Sequence, residues 1–344
     1  MIRVLIAEDS AVTREYLRWL IDHAEGLEVA GVANDGEQAV EFAERLKPDV
    51  ILMDVHMPQM DGFQATRLIM ERHPTPIVMA TASSSKAETR GAFEALDAGA
   101  LLLLDKPPAP WDPGHDEAAD ELLRAVKLMA EVKVVRRWAQ RPQPVEAPRF
   151  ERVRSPRVIA IGASTGGPQV LSTILAALPG PLSVPLLLVQ HISEGFIAGF
   201  VDWLGTRTPM DVVLAERGDE LRPGTIHVAG SERHMGVEAD HRVVFDGGPP
   251  VNGFRPSISH LFDSVARCCG RESVGILLTG MGRDGADGLR RMRDAGALTI
   301  AQDEESSVIF GMPGEAVRLN AAVEVLPPEQ IAEQLWALEL ERVR

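Results

Sequence analysis

Cysteine is nearly absent: two occur in 344 residues, Cys268 and Cys269, side by side. Neighbours in the chain cannot staple distant segments and match no metal-ligand spacing, so a disulfide framework is excluded and both are expected to be small core residues on an amphipathic helix. Positive charge is also short. With 35 Lys and Arg against 50 Asp and Glu the formal charge is -15, which argues against nucleic acid as a partner, because phosphate contacts need clustered cations. Long apolar runs are missing. The longest, Leu186 to Val189 with its neighbours, is too short to span a bilayer, which excludes direct membrane insertion. The first strand begins within two residues of the N-terminus and leaves no room for a signal peptide, so a cytoplasmic location is expected.

What is present is a repeated alternation of buried strands and amphipathic helices over a length that suits two or three domains. Ile2 to Ala7 ends in Glu8-Asp9, Val50 to Met53 in Asp54, Ile77 to Ala80 in Thr81, and Leu101 to Leu104 in Asp105-Lys106. Strands recurring every twenty to twenty-five residues with helices between them predict a doubly wound parallel sheet. Its ligands gather at the carboxyl ends of the strands, so Glu8, Asp9, Asp54, Thr81 and Lys106 are expected in one crevice. Three carboxylates there repel one another unless a cation sits among them, and hard oxygen donors suit Mg²⁺. Beside a lysine, Asp54 has the chemistry of a nucleophile toward a phosphoryl group.

These residues, with the stretch MDVHMPQMDG around Asp54, make residues 1–125 similar to a response-regulator receiver domain of the flavodoxin-like type. The resemblance implies phosphorylation of Asp54 by a histidine kinase, Mg²⁺ held by Glu8, Asp9 and Asp54, and a switch through Thr81 and Lys106. It differs at Leu103, where the family often carries an aromatic residue. The proline-rich stretch from Pro107 to Asp116 predicts that the last helix of this domain starts near Glu117, with an apolar stripe through Leu122, Val126, Met129, Val132 and Val135. Between 126 and 156 arginine and proline recur with few apolar residues, which reads as a basic interdomain linker.

A second series opens with VIAIGASTGGP, Val158 to Pro168. Four consecutive apolar residues predict a strand buried on both faces, and Gly167-Pro168 suits the start of a helix. Ser164 then falls on the tight turn between them, next to N–H groups at the positive end of that helix. The strand Leu186 to Val189 leads to His191, and Val274 to Leu278 leads to TGMGRDG with Asp284. A serine hydroxyl needs an imidazole to take its proton and a carboxylate to hold that imidazole, so Ser164, His191 and Asp284 form a candidate triad on a Rossmann-like sheet, with Met281 as an oxyanion donor. Each has a bland alternative as a strand-end or helix-capping residue. The sequence order Ser, His, Asp departs from that of α/β-hydrolases, although GASTG matches their nucleophile-elbow pattern. Dinucleotide binding is the rival reading, weakened because Ser164 replaces a required glycine and no ribose-binding acid follows the second strand. A receiver fused to a non-catalytic binding module is the other.

IGASTGGP, QHI at 190–192, PPVNGFRPS at 249–257, TGMGRDGA at 279–286 and QDEESSVIFGMP at 302–313 resemble the catalytic domain of chemotaxis protein-glutamate methylesterases, assigning 157–344 to that domain. The resemblance implies hydrolysis of glutamate γ-methyl esters on chemoreceptors, deamidation of receptor glutamines, and no cofactor for the hydrolase. It makes Ser164 the nucleophile, His191 the base and Asp284 its orienter, with Thr165 and Met281 near the oxyanion. Arg283, where asparagine is frequent, and Glu194, where proline is usual, are departures at the rim.

Overall fold

A computed structural model describes residues 1–81, 93, 99–132, 156–230, 232–238 and 240–343. The chain divides into two compact units, Met1–Val145 and Glu146–Arg344. The first is built from β1 (Ile2–Ala7), α1 (Ala11–Asp22), β2 (Leu27–Ala33), α2 (Gly36–Leu46), β3 (Val50–Asp54), α3 (Gly62–Arg72), β4 (Ile77–Thr81), β5 (Leu102–Asp105) and α4 (His115–Ala130). Its sheet runs β2-β1-β3-β4-β5 with every pairing parallel. All positions of β3 and β4 are buried, as an unbroken apolar run requires when both faces are covered. Side-chain oxygens of Ser10, Asp35 and Asp61 accept from backbone N–H groups in the first turns of α1, α2 and α3, satisfying donors that have no partner within the helix. The glycine of the MDG stretch is sterically required: a Cβ on Gly62 would stand 2.1 Å from the Asp54 carbonyl oxygen.

Helix α4 begins at His115, two residues before the expected Glu117, with Gly114 supplying a left-handed φ of 87° ahead of it. Leu122, Val126 and Met129 are buried on it. It ends at Ala130, so the first residues read as linker are helical, Val132 lies beyond the last turn, and Val135 with the basic segment falls outside the described residues.

The second unit contains β6 (Val158–Ala163), α5 (Gly167–Ala176), β7 (Leu186–Gln190), α6 (Glu194–Gly205), β8 (Asp211–Leu214), β9 (Thr225–Val228), β10 (His234–Val237), β11 (Val243–Asp246), α7 (Ile258–Cys269), β12 (Ser273–Leu277), α8 (Ala286–Asp294), β13 (Leu298–Gln302), α9 (Met312–Arg318), β14 (Glu324–Leu326) and α10 (Pro328–Val343). Seven parallel strands run β14-β13-β12-β6-β7-β9-β8, and β10 and β11 form a separate antiparallel hairpin. The chain starts at β6 in the middle, builds outward through β7, and later returns to β6's other side with β12. That reversal makes a topological switch point, where open α/β sheets leave a crevice.

Helix α7 buries Ile258, Leu261, Phe262, Val265 and Cys269, the 3.6-residue stripe that faces a core. Cys269 is buried as expected, and burial pushes its thiol up to about 12. Cys268 is only half-buried, because consecutive helical residues point about 100° apart and one of the two must leave the core. Among the described residues no helix is long and apolar enough to cross a membrane.

Helix α8 packs on α7 through Gly288, where a Cβ would stand 2.8 Å from the Ser259 carbonyl oxygen and 2.9 Å from Phe262 Cβ. Gly→Ala in a helix normally gains about 1 kcal/mol. Here backbone obstructs the methyl, so Gly288→Ala is expected to lose about 1–3 kcal/mol in urea unfolding. A neutral or stabilised variant contradicts this packing.

Candidate active site

The ladder of the sheet brings three loops to one level. His191 N–H donates to Ala163 O (2.9 Å), Leu278 N–H to Gly162 O (2.8 Å) and Ser164 N–H to Thr279 O (3.0 Å), so β6 is flanked at its tip by the chain leaving β7 and the chain leaving β12. Ser164 follows β6, His191 follows β7, and Asp284 closes the loop after β12. The turn at Ser164 is tight. Gly167 N–H donates to Ser164 O (2.8 Å), Gly166 has φ 78°, and a Cβ on Gly167 would stand 2.2 Å from Gln190 Oε1. From the other side the Gln190 amide donates to Ser164 O (2.8 Å) and His191 O (2.9 Å), tying two of the loops together.

Asp284 is fully buried and lies at the start of α7. Its Oδ1 accepts from Ser257 Oγ (2.8 Å), Ser259 N–H (3.2 Å) and Asn252 Nδ2 (3.2 Å), and its Oδ2 from Ile258 N–H (2.7 Å). His191 Nε2 completes the set at 3.1 Å. Burial by itself would push this carboxyl up, but the bonds from His191, Ser257 and Ile258 outweigh it and hold the group well below the usual carboxylate range. An ionised carboxylate is acceptor-only, so it fixes the neutral imidazole with its proton on Nε2 and leaves Nδ1 with a lone pair. That Nδ1 is buried and has no hydrogen-bond partner. The Phe254 ring stacks on the imidazole at 3.9 Å between centroids and 6° between planes, which holds its tilt.

The structure therefore unites His191 with Asp284 and sets Ser164 on the adjoining strand tip, 7% exposed. Ser164 Oγ is not hydrogen-bonded to His191; the nitrogen without a partner is the one turned away from Asp284. Thr165 accepts at its carbonyl from Thr279 Oγ1 (3.0 Å), and Met281 stands 44% exposed in the loop after β12. Arg283 and Glu194 are at the surface as expected, Arg283 paired with Asp287 at 2.8 Å. The sequence reading missed Asn252, Phe254, Ser257 and Gln190 as residues with a task. The signal was present in PPVNGFRPS, whose residues supply three of the contacts to Asp284 and His191.

In the first unit Lys106 Nζ lies 2.6 Å from Glu8 Oε2 and 2.9 Å from Asp54 Oδ2. Glu8, Asp54 and Thr81 are buried and Asp9 is exposed. Burial, with help from the Asp54 charge, raises Glu8 above its ordinary value, while Lys106 pulls the other way. The carboxylates of Glu8, Asp9 and Asp54 each offer an oxygen within 4.8 Å of the others, a hard donor set able to hold one divalent cation. Lys106 N–H donates to Thr81 O (2.8 Å), so the expected five residues do share one strand-end crevice.

Fold and strand-tip chemistry together define the class: a receiver joined to a hydrolase on a doubly wound parallel sheet. Comparison with known proteins gives the particular family. Residues 159–335 match the family model "CheB methylesterase" and residues 4–112 match "Response regulator receiver domain". A Geobacter metallireducens protein, 48% identical over 99% of this chain and 100% of its own length, and a Syntrophus aciditrophicus protein, 49% identical over 98% of each chain, both bear the name protein-glutamate methylesterase/protein-glutamine glutaminase. The crystal structure of the Thermotoga maritima CheB methylesterase catalytic domain superposes with a TM-score of 0.51 at 34% identity, covering 54% of this chain and all of that one. The chain belongs to the CheB methylesterase family, with its receiver in front, and the dinucleotide-binding and non-catalytic readings are not favoured.

Because the Asp284 pKa is depressed on folding, its stabilisation is present above the unfolded value of about 3.9 and is lost as pH falls from there toward the folded value. Asp284→Asn turns an amide N–H₂ toward groups that are themselves donors, and is expected to cost about 1–3 kcal/mol at pH 7. In urea titrations from pH 7 to 3 the gap between parent and variant should narrow below pH ~4. Parallel pH slopes would contradict a buried, ionised Asp284.

Proposed function

We propose that the second unit hydrolyses γ-methyl esters of glutamates on the cytoplasmic helices of chemoreceptors, and deamidates receptor glutamines, through Ser164, His191 and Asp284. The observation that carries this is a buried imidazole whose Nε2 is committed to an ionised carboxylate and whose Nδ1 is unpartnered, on the rim that also bears Ser164. Ser164 Oγ attacks the ester carbonyl carbon while His191 Nδ1 takes its proton. The protonated imidazole then gives that proton to the departing methoxide, and methanol leaves. Water attacks the glutamyl ester of Ser164 with His191 again as base, restoring the hydroxyl and freeing the γ-carboxylate. With a glutamine substrate the first leaving group is ammonia. Thr165 and Met281 flank the turn where the oxyanion would form, and small leaving groups such as these need no deep pocket.

The receiver is the regulatory part. Asp54 is the phosphoacceptor for a chemotaxis histidine kinase, and Glu8, Asp9 and Asp54 would hold Mg²⁺, which supplies charge neutralisation at the incoming phosphoryl group. Phosphorylation removes one of the two carboxylates that now share Lys106, releasing the ammonium to the new phosphoryl oxygens and altering the Thr81 end of the crevice. Residues 1–125 form the receiver, with its last helix continuing to Ala130, residues up to 156 a tether, and 157–344 the hydrolase. We infer that phosphorylation of the receiver gates the active site of the hydrolase, in the cytoplasm.

Ser164→Ala is expected to keep the parent's urea midpoint and lose 10³-fold or more of the methanol release from methylated receptor membranes; activity retained by that variant sinks the assignment. A small phosphodonor with Mg²⁺ should raise the rate of the full chain toward that of residues 150–344 alone, and Asp54→Asn or a chelator should abolish the rise. Equal rates in every arm remove the gating.

A further inference from the structure

The tip of the β10–β11 hairpin and the end of α7 meet at three side chains that the reaction does not use. His241, Cys268 and Cys269 each offer a ligand atom, and these atoms all lie within 4.8 Å of one another. We propose that they form a binding site for one thiophilic divalent cation of the Zn²⁺ type, clipping the hairpin to α7. Zinc sits about 2.3 Å from sulfur and about 2.1 Å from an imidazole nitrogen. Around a tetrahedral ion such ligands stand about 3.6–3.8 Å apart, so atoms that lie within 4.8 Å of one another come onto one ion with shifts of no more than about 1 Å.

Several features prepare the site. His241 sits in a left-handed conformation, φ 59°, which is uncommon for a residue with a Cβ and sets the turn that carries its ring. The Glu238 carbonyl oxygen accepts from His241 N–H (2.9 Å) and from Cys268 Sγ (3.2 Å), so a single backbone atom already fastens the turn to the helix. Cys269 Sγ donates to Cys268 Sγ at 3.2 Å, which points both thiols to the same spot. That spot is the C-terminal end of a twelve-residue helix, where unpaired carbonyls favour a cation. His241 and Cys268 are half-buried, leaving an approach for the ion and for a water as fourth ligand. Two sulfurs and an imidazole select zinc-like ions against Mg²⁺, whereas the receiver's all-oxygen cluster selects the reverse. Binding exchanges the two thiol protons, released to solvent, for the cation.

Asp284 is held at the opposite end of α7, about 18 Å away along twelve residues. The ion therefore braces the fold and leaves hydrolysis unchanged, so its test is separable from that of the hydrolase assignment. The reduced, metal-stripped full chain is titrated with Zn²⁺ against a chromogenic chelator and with Co²⁺ by absorption, in excess Mg²⁺ to occupy the receiver. We expect one Zn²⁺ per chain, a thiolate-to-cobalt charge-transfer band, a higher Tm and an unchanged basal esterase rate. Cys268→Ser with Cys269→Ser should remove the band and weaken Zn²⁺ at least about 10-fold, and His241→Ala should weaken it while keeping the band. Should the double variant fail to fold, His241→Ala decides alone. A Co²⁺ complex without thiolate character, or parent-like Zn²⁺ affinity in these variants, overturns the site.

Discussion

Everything in the second unit is arranged around one negative charge that water does not reach. Removing a lone carboxylate from water costs several kcal/mol, and Asp284 meets that cost with donors from Asn252, Ser257, Ile258, Ser259 and His191, in the positive field at the start of α7. The consequences run outward. The helix begins at residue 258, residues 252 and 257 reach the carboxylate, and the imidazole keeps its other nitrogen without a partner. Remove the charge and the donors gathered from residues 252 to 259 lose their common acceptor.

The first unit solves a related problem by a different route. Glu8 and Asp54 are also nearly inaccessible to water, yet they share an ammonium, Lys106, in place of a fan of neutral donors. A fan of backbone and hydroxyl donors is rigid and suits a carboxylate whose only task is to stay ionised and hold a ring. A single mobile cation suits carboxylates that exchange partners, because the lysine can follow the charge when it moves. The contrast matches an orienting group on one side and a phosphoacceptor on the other.

How far the residues announced this depends on the range of the interaction. The strands were legible because a run such as Val158 to Ile161 has one buried solution; Ser164, His191, Glu8, Asp54 and Lys106 were legible because each stands at or just past the end of such a run, and Asp284 because it lies in the glycine-rich loop that follows another. That Cys268 and Cys269 lie on an amphipathic helix was legible in the same way. What stayed hidden lies between elements far apart in sequence. Ser257 and Asn252 reach Asp284 across 27 and 32 residues, and nothing local in PPVNGFRPS specifies that destination. The choice of Nε2 for the carboxylate, the Phe254 ring lying flat on His191, and His241 arriving beside two cysteines that looked like plain core are likewise outcomes of tertiary placement. Cys268 was misjudged for a simpler reason, since adjacent helical positions cannot both face inward.

The seven-stranded sheet has two unequal rims. Every residue with a chemical task in hydrolysis is borne on the rim where strands end, while the turns that feed β7 and β13 carry packing residues such as Leu182 and Ala297 and none of the chemistry. Such a division lets the feeding turns drift in length and composition without consequence for turnover. Natural variation between relatives should therefore concentrate at their exposed positions, and a fluorophore or an affinity handle introduced at Pro179 or Pro181 would report on the enzyme without disturbing it.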